Sequence, residues 1–285
     1  MAETQLNEGA VSLAAANWAD ATGFANDAEL AIVDGRQSIT AGLDQTGSTT
    51  TGIDYLHVRN GFSGRVGSAA SPASVEFDAT YTTKENFIYG AGAGSCYLTS
   101  GAFTITQALI NGGGTCYFTG GTITTLIATS GRFEVNQSTA LVDVWVLGGS
   151  HFIDEHSSDT LGNVYVVAGT VLIKRAGTLL TIGGTGRVGS HLVTGGWTTV
   201  TQDGGMLVPY KGDIATYNGR SGVIDHRPAL VPVTLGGTAA VLTSALTRYQ
   251  QANNGSNPTY SNVTNIGGGP TDSDGGGSAP PSFGA

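Results

Sequence analysis

The sequence has few charged residues, few prolines, only two cysteines and no long apolar run. Of its 285 residues, 12% are charged, 8 are proline and 2 are cysteine. Two cysteines are too few for a disulfide framework, and their spacing is not the paired spacing of a zinc site. No stretch approaches the roughly 20 apolar residues that a membrane-spanning helix needs. We therefore expect no disulfide scaffold, no metal site and no membrane partner.

Basic residues are scarce as well. Lysine and arginine together number 12, and the net charge is −9. A protein that grips nucleic acid phosphates needs a basic patch or stripe, so we expect no nucleic-acid partner. The opening stretch MAETQLNEG is acidic where a secretory signal would be basic. The sequence therefore predicts a soluble protein made in the cytoplasm.

Glycine is the abundant residue, with 45 copies in the chain. The glycines are not spaced every third residue, which excludes collagen. Apolar residues make up 40% of the chain, and this fraction is typical of a folded protein rather than a disordered one. The glycines must therefore mark turns in a folded structure.

An internal repeat indicates that the turns separate short strands. SCYLTSG at residues 95–101 recurs as TCYFTGG at residues 115–121, a shift of 20 residues. A glycine followed by alternating apolar positions recurs in GRFEV, GSHFI and GTVLI, and β-branched runs such as VDVWV and VYVV lie between these segments. Such runs are typical of strands.

A coil of about 20 residues cannot bury its apolar face alone, whereas stacked coils can pair equivalent strands in parallel. We therefore predict an all-β fold, a right-handed parallel β-helix (solenoid), the hand following from the crossover rule for parallel strands. The predicted body covers residues 27–228, and a transition segment covers 229–252. Extended arms are predicted at 1–26, as an arm or cap, and at 253–285, which is rich in glycine, serine and proline. GRVGS occurs at 64–68 and again at 186–190, which indicates that the early segment joins the same stack.

The repeat also predicts a structural ladder. It places Cys96 against Cys116 and Tyr97 against Tyr117 one coil apart, with Cα atoms about 4.8 Å from each other. Because the chain is expected in a reducing compartment, we predict free thiols rather than a disulfide bond.

Gly184, Gly186 and Gly189 spell GxGxxG after the apolar run TLLTI, the arrangement of a dinucleotide-binding turn. A helix must follow in such a site, but the sequel SHLVTGGWTTV is typical of a strand. Asp203, near the distance expected for a ribose-binding acid, lies in the turn-like TQDGG. We interpret the glycines as a coil turn.

The densest polar cluster comprises His151, Asp154, Glu155, His156 and Asp159. Histidines and carboxylates can bind a metal or perform acid-base chemistry, but this spacing fits no helix-borne zinc motif. We interpret the cluster as a solvated corner between coils.

Catalysis on polysaccharides is the other possibility for a β-helix, and it needs two carboxylates facing one groove. Glu134, Asp143 and Asp154 are candidates, but nothing in the sequence aligns them on one face. His191 and His226 stand alone, since no serine lies in a G-x-S-x-G turn. We predict that the chain is not an enzyme and has no catalytic residue, metal or cofactor.

The glycine-punctuated coils, the opening NWADATGFANDAELAIVDG and the segment DYLHVRNGFSGRVGS resemble the β-helical decoration (cement) proteins of tailed bacteriophages. The resemblance implies a homotrimer on the capsid surface of a virion, assembled in the host cytoplasm, with the major capsid protein as partner. It also implies that the terminal arms tie capsid subunits together, which assigns assembly contacts to Trp18, Tyr260 and Phe283. From its position alone, Trp18 is expected to plug the open end of the core.

The alternative function is a receptor- or polysaccharide-binding tail spike or fibre, which shares the coil architecture. A tail spike should show aromatic and carboxylate side chains stacked on one exposed face of the coils. Tyr97 and Tyr117 fit such a face, but they fit an ordinary structural ladder equally well.

Overall fold

The computed structural model describes residues 55–70, 72–75, 77, 85–90, 92, 94–100, 104–156, 158–159 and 161–225, and the backbone of seven further strands. It is all-β, and the described residues contain no helix. The chain divides into two compact units, Met1–Val142 and Asp143–Ala285, and one strand crosses the division.

In the part of the first unit that the structure describes there are twelve complete strands, and most of them pair with the strand two positions later. The strands are β1 (Ala2–Gln5), β2 (Glu29–Val33), β3 (Ser38–Ile39), β4 (Tyr55–Val58), β5 (Arg65–Val66), β6 (Ala73–Ser74), β7 (Phe87–Tyr89), β8 (Ser95–Thr99), β9 (Thr104–Ile110), β10 (Thr115–Phe118), β11 (Gly121–Ala128) and β12 (Arg132–Val135). One parallel ladder runs β4, β7, β9, β11, and another runs β5, β8, β10, β12.

The second unit has the same organisation. After β13 (Thr139–Val146), which crosses the division, the strands are β14 (Ser150–Ile153), β15 (Leu161–Val166), β16 (Thr170–Ile173), β17 (Gly177–Ile182), β18 (Arg187–Asp225), β19 (Thr234–Thr243), β20 (Leu246–Tyr249), β21 (Thr259–Ile266) and β22 (Thr271–Asp272). β13, β15, β17 and β18 form one parallel ladder, while β14, β16 and β18 form another. Each unit is therefore a parallel β-solenoid, and the predicted fold class is confirmed.

Alternation along each strand builds the core. In β8 and β10 every second side chain is buried, as period 2 requires. Leu98, Phe118, Val135 and Phe133 are each at most 1% exposed. Removing such an apolar side chain from water contributes about 1.5–3 kcal/mol, so repetition over many short strands stabilises coils that would not fold alone.

Polar groups inside the stack are paired. Asn86 is fully buried, and its Oδ1 accepts hydrogen bonds from the backbone N–H groups of Thr106 and Gln107 at 3.0 and 3.2 Å. In the second unit Tyr217 donates to Gln202 at 2.6 Å, and Gln202 donates to the Val223 carbonyl at 3.0 Å. These bonds offset the cost of burying polar atoms between coils.

The predicted arms lie largely outside the described residues. Only backbone strands are described there, and β21 pairs in parallel with β19 while β22 pairs with β20. Parallel pairing therefore also occurs between the segments 229–252 and 253–285.

Candidate functional site

The cysteine and tyrosine ladder lies in the first unit, in the register of the 20-residue repeat. Cys96 pairs with Cys116 and Tyr97 with Tyr117 across β8 and β10. Both cysteines point into the core and are fully buried, whereas the tyrosine rings stack on the opposite side, with centroids 4.2 Å apart and planes 5° apart. The next strand continues the tyrosine column with Glu134, which is paired to Tyr117.

Both cysteines are free thiols in the structure. Burial, and after it the contact with Cys96, raises the pKa of the Cys116 thiol well above its ordinary value. Since the thiolate is the reactive form, the folded protein should react slowly with thiol reagents.

We expect a thiol reagent to add two labels per chain after denaturation without reductant, and far fewer in the folded protein over the same time. Intact-mass analysis counts the labels, with a reduced sample as the control for full labelling. Zero labels without reductant would show a disulfide bond and contradict the free-thiol ladder.

The histidine and carboxylate cluster of the second unit is only partly the solvated corner that the sequence predicts. That interpretation is wrong for His151, which occupies an inward position of β14 beside Val171 and is 3% exposed. Its Nε2–H donates to the Gly148 carbonyl at 2.6 Å. The alternation of β14 explains the difference, because the residue between Ser150 and Phe152 must face the core.

The carboxylates of this cluster hold two basic side chains of the following coil. Lys174 Nζ lies 3.1 Å from Asp154 Oδ1 and 5.0 Å from the centre of the Phe152 ring. Arg175, which is 2% exposed, donates to Asp159 Oδ2 at 2.7 Å and to the Asp154 carbonyl at 3.2 Å. Burial lowers the pKa of Arg175, and the Asp159 carboxylate opposes that shift. The ion pairs of Asp154 and Asp159 therefore link two adjacent coils of the second unit.

The other candidate carboxylates also have structural partners. Glu134 Oε1 accepts from Arg132 Nε at 2.7 Å in the first unit. In the second unit Asp143 accepts from the backbone N–H and the side-chain amide of Asn163 at 2.8 and 3.1 Å. The Asp143 contacts link two neighbouring coils, and the Glu134 contact links two positions of one strand. Both carboxylates therefore have a structural role.

The GxGxxG glycines form the predicted coil turn. Residues 183–186 lie between β17 and β18, so a strand follows where a dinucleotide site needs a helix. A methyl group at Gly186 would lie 2.4 Å from the Val166 carbonyl oxygen, and Gly184 has a φ of +49°. These glycines let the turn approach the coil beneath it. Asp203, which lies near the distance expected for a ribose-binding acid, has its Oδ1 3.4 Å from Arg220 Nη1.

The remaining predicted residues divide between described and undescribed positions. His191 makes an edge-on contact with the Tyr210 ring, at 6.4 Å between centroids. Trp18, His226 and Phe283 lie outside the described residues, and Tyr260 is described only as a backbone position of β21 paired with Leu235.

Sequence reasoning missed an exposed apolar face in the second unit. Trp145 and Tyr165 pair across β13 and β15, and their rings stack at 4.0 Å and 17°. Trp145, Leu147 and Val167 are 39%, 41% and 48% exposed. The 20-residue offset between DVWVL at 143–147 and NVYVV at 163–167 is the signal that could have revealed the stack. We call Trp145, Leu147, Tyr165 and Val167 the apolar face.

Among the residues that the structure describes, no group of three or more histidine, cysteine, aspartate or glutamate side chains is placed to hold a metal ion. In the same part of the chain, no helix has the length and apolar character needed to cross a bilayer.

Comparison with known proteins adds no relative. Searches against protein-family models, curated proteins and solved structures found no significant match to this chain.

Proposed function

We propose that the chain is a non-enzymatic structural protein of a tailed-phage virion, which decorates the capsid and stabilises it by bridging neighbouring capsid subunits. The proposal includes a homotrimer as the working form and the major capsid protein as the partner. The apolar face is the observation that carries it, because contiguous exposed apolar side chains mark surfaces that bind other proteins.

The chemistry of the apolar face suits a protein partner. Trp145, Leu147 and Val167 lie on adjacent coils, with two aliphatic side chains beside a stacked aromatic pair. Aromatic residues anchor protein interfaces, and burying a valine or leucine side chain contributes about 1.5–3 kcal/mol. A surface built on paired strands is also rigid, so little conformational entropy is lost when it binds.

The rigidity of the stack suits a cementing role. Each coil is fixed to the next by backbone hydrogen bonds and by contacts such as Arg175 with Asp159. A protein that holds a shell together must resist deformation itself, and a trimer that engages several sites at once gains attachment strength from effective concentration.

Glycan binding by a tail spike or fibre is the second candidate, and two stacked aromatic pairs favour it, in which Trp145 is exposed and the tyrosines are half-buried. Tyr97 and Tyr117 form a stacked column that continues to Glu134, and the Trp145 and Tyr165 pair lies near Asp143 on β13. Flat aromatic faces with neighbouring carboxylates are what the tail-spike hypothesis requires.

Replacing two members of the apolar face should weaken attachment to the shell. We expect the double variant Trp145→Ser and Val167→Ser to bind purified shells at least about tenfold more weakly, because it loses two apolar anchors. Co-sedimentation with shells lacking the protein measures the affinity.

Ser150→Ala, an exposed change on β14, is the matched control and should bind as the unaltered protein does. Circular dichroism must show that all variants remain folded. Undiminished shell binding by the double variant would contradict the assigned contact surface, and loss of glycan binding instead would favour the tail-spike function.

A further inference from the structure

Asparagine followed directly by glycine occurs four times in the chain. The pairs at 60–61 and 111–112 lie in the turns that follow β4 and β9 in the first unit, and the pair at 218–219 lies within β18 of the second unit. The fourth pair, at 254–255, lies outside the described residues. The same dipeptide therefore occurs in two turns and in one strand of the described structure.

An asparagine before a glycine can lose its side-chain amide without an enzyme. The glycine backbone nitrogen attacks the asparagine Cγ, the N–Cγ bond closes an imide ring, and the Cγ–Nδ2 bond breaks, so that the amide leaves as ammonia with the proton from the backbone nitrogen. Water then opens the imide at either carbonyl carbon, its hydroxyl going to carbon and its proton to nitrogen, and leaves aspartate or isoaspartate. Glycine favours the reaction because it has no Cβ to obstruct the ring and its backbone adopts the required φ and ψ easily.

Both turn pairs of the first unit are accessible to water. Asn60, Gly61 and Asn111 are exposed, and both pairs line one surface depression between successive turns. The Asn60 carbonyl accepts a hydrogen bond from Gly92 N–H at 3.1 Å, and Asn111 N–H donates to the Tyr89 carbonyl at 3.0 Å. Neither of these bonds uses the glycine nitrogen that attacks. The asparagine side chains can therefore reach the reactive geometry without separation of the coils.

The strand pair of the second unit is constrained. Asn218 pairs with Val241 and Gly219 pairs with Leu242 across β18 and β19, and Gly219 is buried. Extended backbone directs N–H groups along the sheet and side chains out of its plane, so the Gly219 nitrogen is held away from the Asn218 Cγ. The ring can close there only after local opening of the strand.

We propose that Asn60 and Asn111 are sites of spontaneous deamidation and that strand pairing protects Asn218. Each conversion adds a negative charge to the turns of the first unit. Isoaspartate at position 60 also removes from the main chain the carbonyl that accepts Gly92 N–H, and so weakens the contact between two coils. The apolar face lies in the second unit, so this modification goes beyond capsid attachment and does not depend on it.

Incubation of the folded full chain at mildly alkaline pH tests the proposal, because the attacking nitrogen must lose its proton. Digestion at acid pH, where the reaction is slow, followed by peptide mass spectrometry measures the loss of each asparagine separately, including the one at 254. We expect Asn60 and Asn111 to convert at least about tenfold faster than Asn218, because only the strand pair requires local opening.

The chain unfolded in urea is the matched control, and all three asparagines should convert there at similar rates. The double variant Asn60→Gln and Asn111→Gln keeps both amides but requires a larger ring, so conversion at these two positions should stop while circular dichroism shows a folded chain. Equal rates at the three asparagines of the folded chain, or protection of either turn as strong as that of Asn218, would overturn the proposal. A rate difference that persists in urea would also overturn it, because the local sequence and not strand pairing would then set the rates.

Discussion

Gly186→Ala is expected to destabilise the second unit by about 1–3 kcal/mol or more, whereas Gly183→Ala, three residues earlier in the same turn, should have little effect. A Cβ at Gly186 would lie 2.4 Å from the Val166 carbonyl oxygen. That carbonyl is held in place because it accepts a hydrogen bond from Gly183 N–H at 3.0 Å. The backbone therefore cannot yield without loss of coil contacts.

Gly183 is the matched control because a Cβ built there meets nothing within 4 Å. Denaturant unfolding of both variants, followed by circular dichroism, gives the two changes in the free energy of unfolding. Equal midpoints for the two variants would mean that coil spacing does not depend on this glycine, and the steric account of the turn would be wrong.

Arg175→Ala is expected to cost about 3–5 kcal/mol of unfolding free energy, because it removes one partner of a buried ion pair. Arg175 is 2% exposed and donates to Asp159 at 2.7 Å, so its loss leaves a carboxylate with less compensation and a cavity between coils. The same denaturant titration measures the change.

Arg220→Ala is the control for this second prediction. Its side chain and that of Asp203 are 68% and 44% exposed and 3.4 Å apart, and exposed pairs of this kind contribute about 0–1 kcal/mol. Similar decreases in unfolding free energy for the two arginine variants would show that burial of Arg175 does not determine how much its ion pair with Asp159 contributes to stability.

The repeat made the coil register predictable. SCYLTSG and TCYFTGG differ by 20 residues, and the structure pairs Cys96 with Cys116 at that shift. The two copies of GRVGS, each in its own unit, share an exposed arginine (Arg65 and Arg187) and a buried valine (Val66 and Val188), but they diverge at the next glycine, where β5 has ended and β18 continues. Period-2 alternation and glycine turns are local signals, so these features follow from the sequence.

Other features depend on side-chain contacts between coils, which local sequence patterns do not predict. Arg175 reaches Asp159 across 16 residues and His151 faces the core, although both positions belong to segments rich in polar residues. The turns that follow β4, β7 and β9 stack on one another in the first unit, while the sequence shows there only scattered glycine and asparagine. Coil length varies, because the step from Ser95 to Thr115 is 20 residues and the step from Thr115 to Arg132 is 17. A single repeat length therefore cannot predict the register of such turns.

The most direct test of the proposed function compares phage particles assembled with and without this chain. Fluorescence of a DNA-binding dye during heating measures the temperature at which the genome is released. Cementing predicts release at a lower temperature without the chain, and recovery when the purified protein is added back but not when the Trp145→Ser and Val167→Ser variant is added. An unchanged release temperature in particles lacking the chain would contradict the proposed function.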